Sequence, residues 1–186
     1  MEDISLHILD IAENSVSASA TLVRISITDD PGKNLFTVTI EDNGRGMDAV
    51  FVRRVLDPFC TTRTERNVGL GLSFLAQAAR ETGGDIRIQS VVGQGTIVRA
   101  DFRPAHIDMK PLGNITDTIV TLIAGNPRVD FHFSYARAGN TYSLDTREIR
   151  SALEDVPINS ADVLSAIRSD LSEGLQAVKE ANNVPL

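Results

Sequence analysis

Four short stretches of the chain carry side chains whose types and spacing suit chemistry. In ISLHILDIAENSVS, Asp10 and Asn14 stand four residues apart. On a helix that spacing puts both on one face, with Cβ atoms about 5–6 Å apart. The Asn14 amide oxygen is a hard ligand suited to Mg2+, which takes few protein ligands and fills its shell with phosphate and water oxygens. Asp10 can accept a proton or orient a water. Taken by itself, the pair is also what a solvated polar face looks like. In EDNGRGMD, residues 41–48, Asp42 stands at a strand end and can accept a hydrogen bond from an exocyclic amine such as that of adenine. Gly44 and Gly46, flanking Arg45, let backbone approach a flat ligand closely, although Asn43-Gly44 is equally an ordinary turn signal.

DPFCTTRTERNVGLGL, residues 57–72, combines Arg63 and Arg66, which can pair with phosphate oxygens, with Gly69 and Gly71 at the start of a helix. A glycine-rich turn into a helix N-terminus offers backbone N–H groups and a favourable dipole to an anion. The lysine-bearing phosphate loop and the longer dinucleotide fingerprint are both absent. In GQGTIVRADF, residues 93–102, Thr96 follows Gly95. Its hydroxyl would lie beside Asp42 if the two strands were neighbours, and a plain hairpin turn explains the same residues.

The elements that must position these groups follow from hydrophobic period. Residues 3–18 read as a helix whose apolar stripe runs Ile4, Ile8, Ile11, Ser15. TLVRISIT and LFTVTIED alternate as strands around a DDPGKN turn, giving a hairpin. Residues 48–56 read as a short helix stopping before Pro58. A polar loop follows over 58–68, then a helix from about Gly69 to Glu81 ended by Gly83-Gly84. DIRIQSVV and TIVRADF form a second hairpin. Pro104 and Pro111 bracket a linker at 105–111, which divides a unit of residues 1–104 from a smaller region of 112–186. That second region reads as a helix over 112–124, a hairpin over 128–145, a short helix over 146–154 and a last helix from Ser160.

Composition narrows the class. With 42% hydrophobic and 23% charged residues, the 186-residue chain reads as globular. Its net charge of −7 argues against nucleic acid or an anionic membrane as a standing partner. One cysteine, Cys60, rules out an internal disulfide framework. No signal peptide is visible and no run approaches the ~18 apolar residues of a membrane span, so a cytoplasmic protein is expected.

In order, the polar helix, the strand ending in DNGRGM, the loop, the GLG helix start and the GxGT hairpin resemble the N box, G1 box, F box, G2 box and closing strand of the histidine-kinase-type ATPase superfamily. The resemblance covers residues 3–103. It implies an α/β chain: an α+β two-layer sandwich, the Bergerat ATP-binding fold, with a small C-terminal α/β appendage. It further implies ATP and Mg2+ as cofactors. Asn14 would be the magnesium ligand. Asp42 would read adenine, with Gly44, Gly46 and Met47 beside it and Thr96 supporting it through a water. Thr61 and Thr62 would belong to a nucleotide-covering lid over residues 59–68. Gly69, Leu70, Gly71 and Leu72 would cradle phosphate, Asp10 would act as base or water orienter, and Arg63 would stabilise phosphoryl charge.

The short lid and the DIRIQSVVGQGT hairpin are similar to those of histidine kinases, whereas no phosphoacceptor helix is expected here. Of the three histidines, His7 falls within the N-box helix and reads as a surface or partly buried residue. His106 lies in the linker, and His132 lies in a strand without an acceptor context. Where Asp10 stands, ATPases and serine-directed kinases of the superfamily usually have glutamate. PLGNITDTIVTLI and LDTREIR look similar to small stand-alone ATP-binding proteins that accompany multi-subunit iron–iron hydrogenases, which would make a redox enzyme complex the partner. No cysteine cluster suggests that this chain itself holds an iron–sulfur cluster. The last helix's apolar face would pack on the chain's own core or form a homodimer. The expected function is therefore an ATP-dependent kinase-like or ATPase switch acting on a partner protein, the alternative being a non-catalytic nucleotide-sensing module.

Overall fold

Alternation of apolar and polar residues dictates the sheet. In Leu22–Asp30 (β1), Val23, Ile25 and Ile27 are buried while Arg24 and Thr28 face the opposite side. Leu35–Asp42 (β2) pairs with it antiparallel, matching Ile25 to Ile40 and Ile27 to Val38. The connecting Pro31–Lys33 forms one 3-10 turn, closed by Asn34 in the left-handed conformation (φ 48°). Asn is among the residues that tolerate that region, so the turn fixes the hairpin register.

The computed structural model describes residues 3–55 and 71–181. Within them, Ile4–Ser17 (α1) precedes β1, and Ala49–Val55 (α2) follows β2. Then come Gly71–Glu81 (α3), Asp85–Val91 (β3), Gly95–Phe102 (β4), Ile115–Gly125 (α4), Asp130–Arg137 (β5), Asn140–Asp145 (β6), Thr146–Leu153 (α5) and Ala161–Glu180 (α6). Six strands form one sheet in the order β3-β4-β2-β1-β5-β6. Every neighbouring pair is antiparallel except β1 and β5, which run parallel. The hairpin read beyond the linker thus extends the same sheet, with Ile25 opposite Phe133.

One sheet face carries the core. α3 packs over β3 and β4, α1 over β1 and β2, and α6 over β5 and β6, with α4 between α1 and α6. Ile8, Leu75, Ile119 and Leu171 are fully buried beneath the four helices. The opposite face is polar: Arg24 pairs with Glu41 at 2.8 Å, and Ser134 donates to Ser26 at 3.0 Å. A sheet buried on one side and wet on the other makes the expected two-layer α+β sandwich.

Two local expectations change. His7, read as surface or partly buried, is only 2% exposed, because it adjoins Ile8 and Ile4 on the side of α1 that faces the core. Ser160 has the extended backbone of a helix cap, yet its side chain makes no capping hydrogen bond. The apolar stripe of α6 (Ile167, Leu171, Leu175, Val178) is buried in the chain's own core. α6 is seated on β6 by Tyr142, whose hydroxyl donates to Asp170 at 2.6 Å and whose ring fills the space that a side chain at Gly174 would take. Among the described residues no helix is long and apolar enough to cross a membrane.

Candidate functional site

Where the apolar rows of the helix-covered face end, a polar row begins. Ser90 of β3 lies opposite Thr96 of β4, and Thr96 lies opposite Asp42 of β2. Two-residue periodicity puts all three on the same face as Ile88, Val98 and Ile40, one step nearer the sheet edge. The neighbourhood inferred between Thr96 and Asp42 is therefore set by strand register.

Asp42 is partly buried and held from two sides. Its Oδ2 accepts the Ser15 hydroxyl at 2.8 Å, and its Oδ1 accepts the Gly44 backbone N–H at 2.8 Å. An ionised carboxylate is acceptor-only and has about four lone-pair sites. Among the described residues two of them are occupied, by Ser15 and by the Gly44 N–H.

The loop leaving Asp42 is fastened at every turn. Asn43 Oδ1 accepts the backbone N–H groups of Thr21 and Leu22, both at 2.9 Å. Arg45 N–H donates to the Ala18 carbonyl at 2.9 Å, and the Gly93 N–H donates to the Arg45 carbonyl at 2.8 Å. Met47 N–H donates to Ser90 Oγ at 2.8 Å, and Ser90 Oγ lies 2.8 Å from Thr96 Oγ1. The loop is thus clamped between the end of α1 and the tip of the β3–β4 hairpin.

Two glycines make the clamp possible. Gly46 has φ +65°, and a Cβ there would stand 2.1 Å from the Val91 carbonyl oxygen. Gly95 has φ +114°, and a Cβ there would stand 1.9 Å from the Asp42 carbonyl oxygen. At both positions the space that a side chain would take is occupied by the chain's own backbone.

Along α1, Asp10 is exposed and Asn14 half-buried, one turn apart as their spacing requires. The first residue of α3, Gly71, abuts Asp10: a Cβ at Gly71 would lie 2.9 Å from the Asp10 Cβ. This brings the start of α3 against the polar face of α1. Leu72, next along, is buried in the core. Glu13 is exposed and accepts Asn126 Nδ2 at 3.1 Å, tying the end of α4 to the helix turn that carries Asn14. Thr61, Thr62, Arg63, Gly69 and Leu70 lie outside the described residues.

The structure thus brings Asp42, Gly44, Gly46, Met47 and Thr96 together at one end of the sheet. Asp10, Asn14 and Gly71 gather along α1, joined to the first group through Ser15. Two residues of this arrangement, Ser15 and Ser90, have no site role in the sequence reading. Ser15 breaks the stripe Ile4, Ile8, Ile11 with a hydroxyl at a position that must be buried. Ser90 similarly puts a hydroxyl on the core-facing parity of β3. In both cases the signal was a polar group where period demands an apolar one.

Comparison with known proteins bears on the family and the fold. Residues 2–106 match the family model described as histidine kinase-, DNA gyrase B-, and HSP90-like ATPase. A putative sensor protein of Shewanella frigidimarina is 36% identical over 103 residues, covering 54% of this chain and 16% of that protein. The signal transduction histidine-protein kinase AtoS of Escherichia coli is 35% identical over 89 residues, covering 47% of this chain and 14% of the kinase. The chain therefore spans less than a fifth of these relatives' lengths. Among solved structures, the N-terminal domain of a DNA repair protein is similar in fold, with a TM-score of 0.54 at 15% identity. That likeness covers 92% of this chain and 56% of the other, so it reaches past the family match into the last strands and helices.

Proposed function

The chain belongs to the histidine kinase-, DNA gyrase B-, and HSP90-like ATPase family, and from that premise we propose that it is a Mg-ATP-dependent regulator acting on a partner protein. An ATP-binding, kinase-like module follows from the family. The metal, the acceptor and the partner are the proposal. The observation that carries the reading is Asp42, an acceptor-only carboxylate held by Ser15 and by the Gly44 N–H at a strand end. The 6-amino group of adenine is a donor that such a carboxylate recognises, while the 6-oxo group of guanine is an acceptor that it repels.

The residues present fit the nucleotide and its metal. Asn14 would supply one oxygen ligand to Mg2+. Bound Mg2+ supplies charge neutralisation at the phosphates. Gly71, at the head of α3, stands against Asp10, which puts a helix N-terminus beside the carboxylate. In the transfer step the bond between the γ-phosphorus and its bridging oxygen breaks, ADP leaves, and an acceptor hydroxyl forms the new bond. Asp10 takes the hydroxyl proton. On the grounds of sequence, Arg63 stabilises the charge developing on the transferred group. Partner action takes one of two forms, transfer of this phosphoryl group or a nucleotide-dependent change in affinity.

Calorimetry and a γ-labelled ATP assay on the purified chain test the reading. Mg-ATP binds and Mg-GTP does not. Asp42→Ala loses ATP binding while keeping the native circular dichroism spectrum, and Asn14→Ala loses only the magnesium-dependent part. Unchanged ATP affinity in Asp42→Ala refutes the site. Binding with neither phosphate release nor transfer to a co-purifying protein refutes the catalytic form of the proposal.

A further inference from the structure

We propose that Ser15 is a positioning residue for base recognition: its hydroxyl fixes the Asp42 carboxylate in the orientation that receives the 6-amino group of adenine. The inference rests on the reading of Asp42 given above and adds to it the residue that makes the carboxylate selective.

Ser15 is 4% exposed on the core-facing side of α1. A buried hydroxyl without a partner costs free energy, so a serine persists there only when its hydrogen is used. Two acceptors lie within reach, the Ile11 carbonyl at 3.2 Å and Asp42 Oδ2 at 2.8 Å. The second is the shorter and is charge-assisted, which makes it the stronger. Twenty-seven residues separate Ser15 from Asp42, so this bond ties α1 to β2 rather than serving the helix alone.

The carboxylate needs this bond. The Gly44 N–H holds only Oδ1. Rotation about the terminal torsion of an aspartate is soft and broad, and one hydrogen bond leaves it so. With Ser15 on Oδ2 the carboxylate plane is fixed before any ligand arrives. The lone pairs that remain then point to one place. Preorganised acceptors discriminate between ligands far better than mobile ones, because the ligand does not bear the cost of ordering them.

Position on the helix adds a second consequence. Asn14 and Ser15 are consecutive, so their side chains leave α1 about 100° apart. One helix turn therefore addresses the metal end of the nucleotide with Asn14 and the base end with Ser15. A shift of α1 along its axis moves both ends together.

The test compares ATP with purine riboside triphosphate, which keeps the ring system and lacks the 6-amino group. Binding of each is measured by calorimetry on the full chain, on Ser15→Ala and on Asp42→Ala. Loss of a hydrogen bond to a charged group predicts that Ser15→Ala weakens ATP about tenfold. Purine riboside triphosphate binds Ser15→Ala and wild type equally, since it makes no use of the carboxylate. That ligand is also the internal control for folding. Equal weakening of both ligands overturns the inference, because it marks Ser15 as merely structural. Unchanged ATP affinity in Ser15→Ala, with loss in Asp42→Ala, overturns it while sparing the reading of Asp42. Normal ATP binding by Asp42→Ala removes that reading and the inference with it.

Discussion

Replacing Gly95 by alanine should cost the protein both stability and nucleotide, while the same change two residues earlier should cost less stability and no nucleotide. Gly93 lies in the β3–β4 turn and Gly95 opens β4, both with positive φ, +78° and +114°. A side chain in that region costs about 1–2 kcal/mol at either position. Only the surroundings differ. A Cβ at Gly93 meets nothing within 4 Å, whereas one at Gly95 stands 1.9 Å from the Asp42 carbonyl oxygen and 2.9 Å from the Asn43 Cα. Ordinary contact begins at 3.4 Å, so the end of β2 must move.

Overpacking of this kind adds about 1–3 kcal/mol. For a chain of this length it corresponds to a melting temperature roughly 2–12 °C below that of Gly93→Ala. The displaced backbone carries Asp42 with it, and a site that must be held within about 0.5 Å then loses ATP affinity about tenfold or more. Thermal melts by circular dichroism and titration with ATP read the two effects separately. If Gly95→Ala melts with Gly93→Ala and binds ATP like wild type, the clamp between hairpin and loop does not position the site.

Two further predictions concern pH. Asp145 caps α5 through the Arg147 N–H at 2.9 Å, and the Arg147 guanidinium lowers its carboxyl to about 2 from an ordinary 3.8. A lowered carboxyl stabilises the fold above about pH 4, and that stability is lost as pH falls through about 2. Arg147 is half-exposed and solvent screens the pair, so the contribution is at most about 1 kcal/mol. Melts of Asp145→Asn should lie below wild type at pH 5 and converge with it towards pH 2, and a constant gap would refute the assignment. Tyr142 is raised far above its ordinary 10, by burial first and then by its bond to the Asp170 carboxylate. A raised phenol stabilises the fold below pH 10, and stability falls as pH rises beyond it. Phenolate absorbance from Tyr142 should therefore appear together with unfolding in an alkaline titration. Its appearance in a protein with native circular dichroism would refute the reading.

How much of this was legible beforehand depends on the range of the interaction concerned. Period and capping chemistry are local, so the order of helices and strands could be read from Met1 to the last helix. Asp42, the glycines around it and the Asp10–Asn14 face were likewise visible, because each is a short pattern. The sequence by itself therefore determined the family and the elements of the described residues, and it nominated the residues that could meet a nucleotide. Tertiary structure decided what touches what. Only strand register sets Thr96 opposite Asp42. Only the parallel pairing of β5 with β1 makes the residues beyond the linker part of one sheet. The partner that holds Asp42 lies 27 residues away on a helix whose rotation is fixed by packing, and Ser15 reads in sequence as one more member of an apolar stripe. Gly46 and Gly95 were recognisable as special, but the backbone that crowds them comes from other strands. Local propensity selects elements; burial of the shared core fixes their register and rotation, and the site is assembled by both of these.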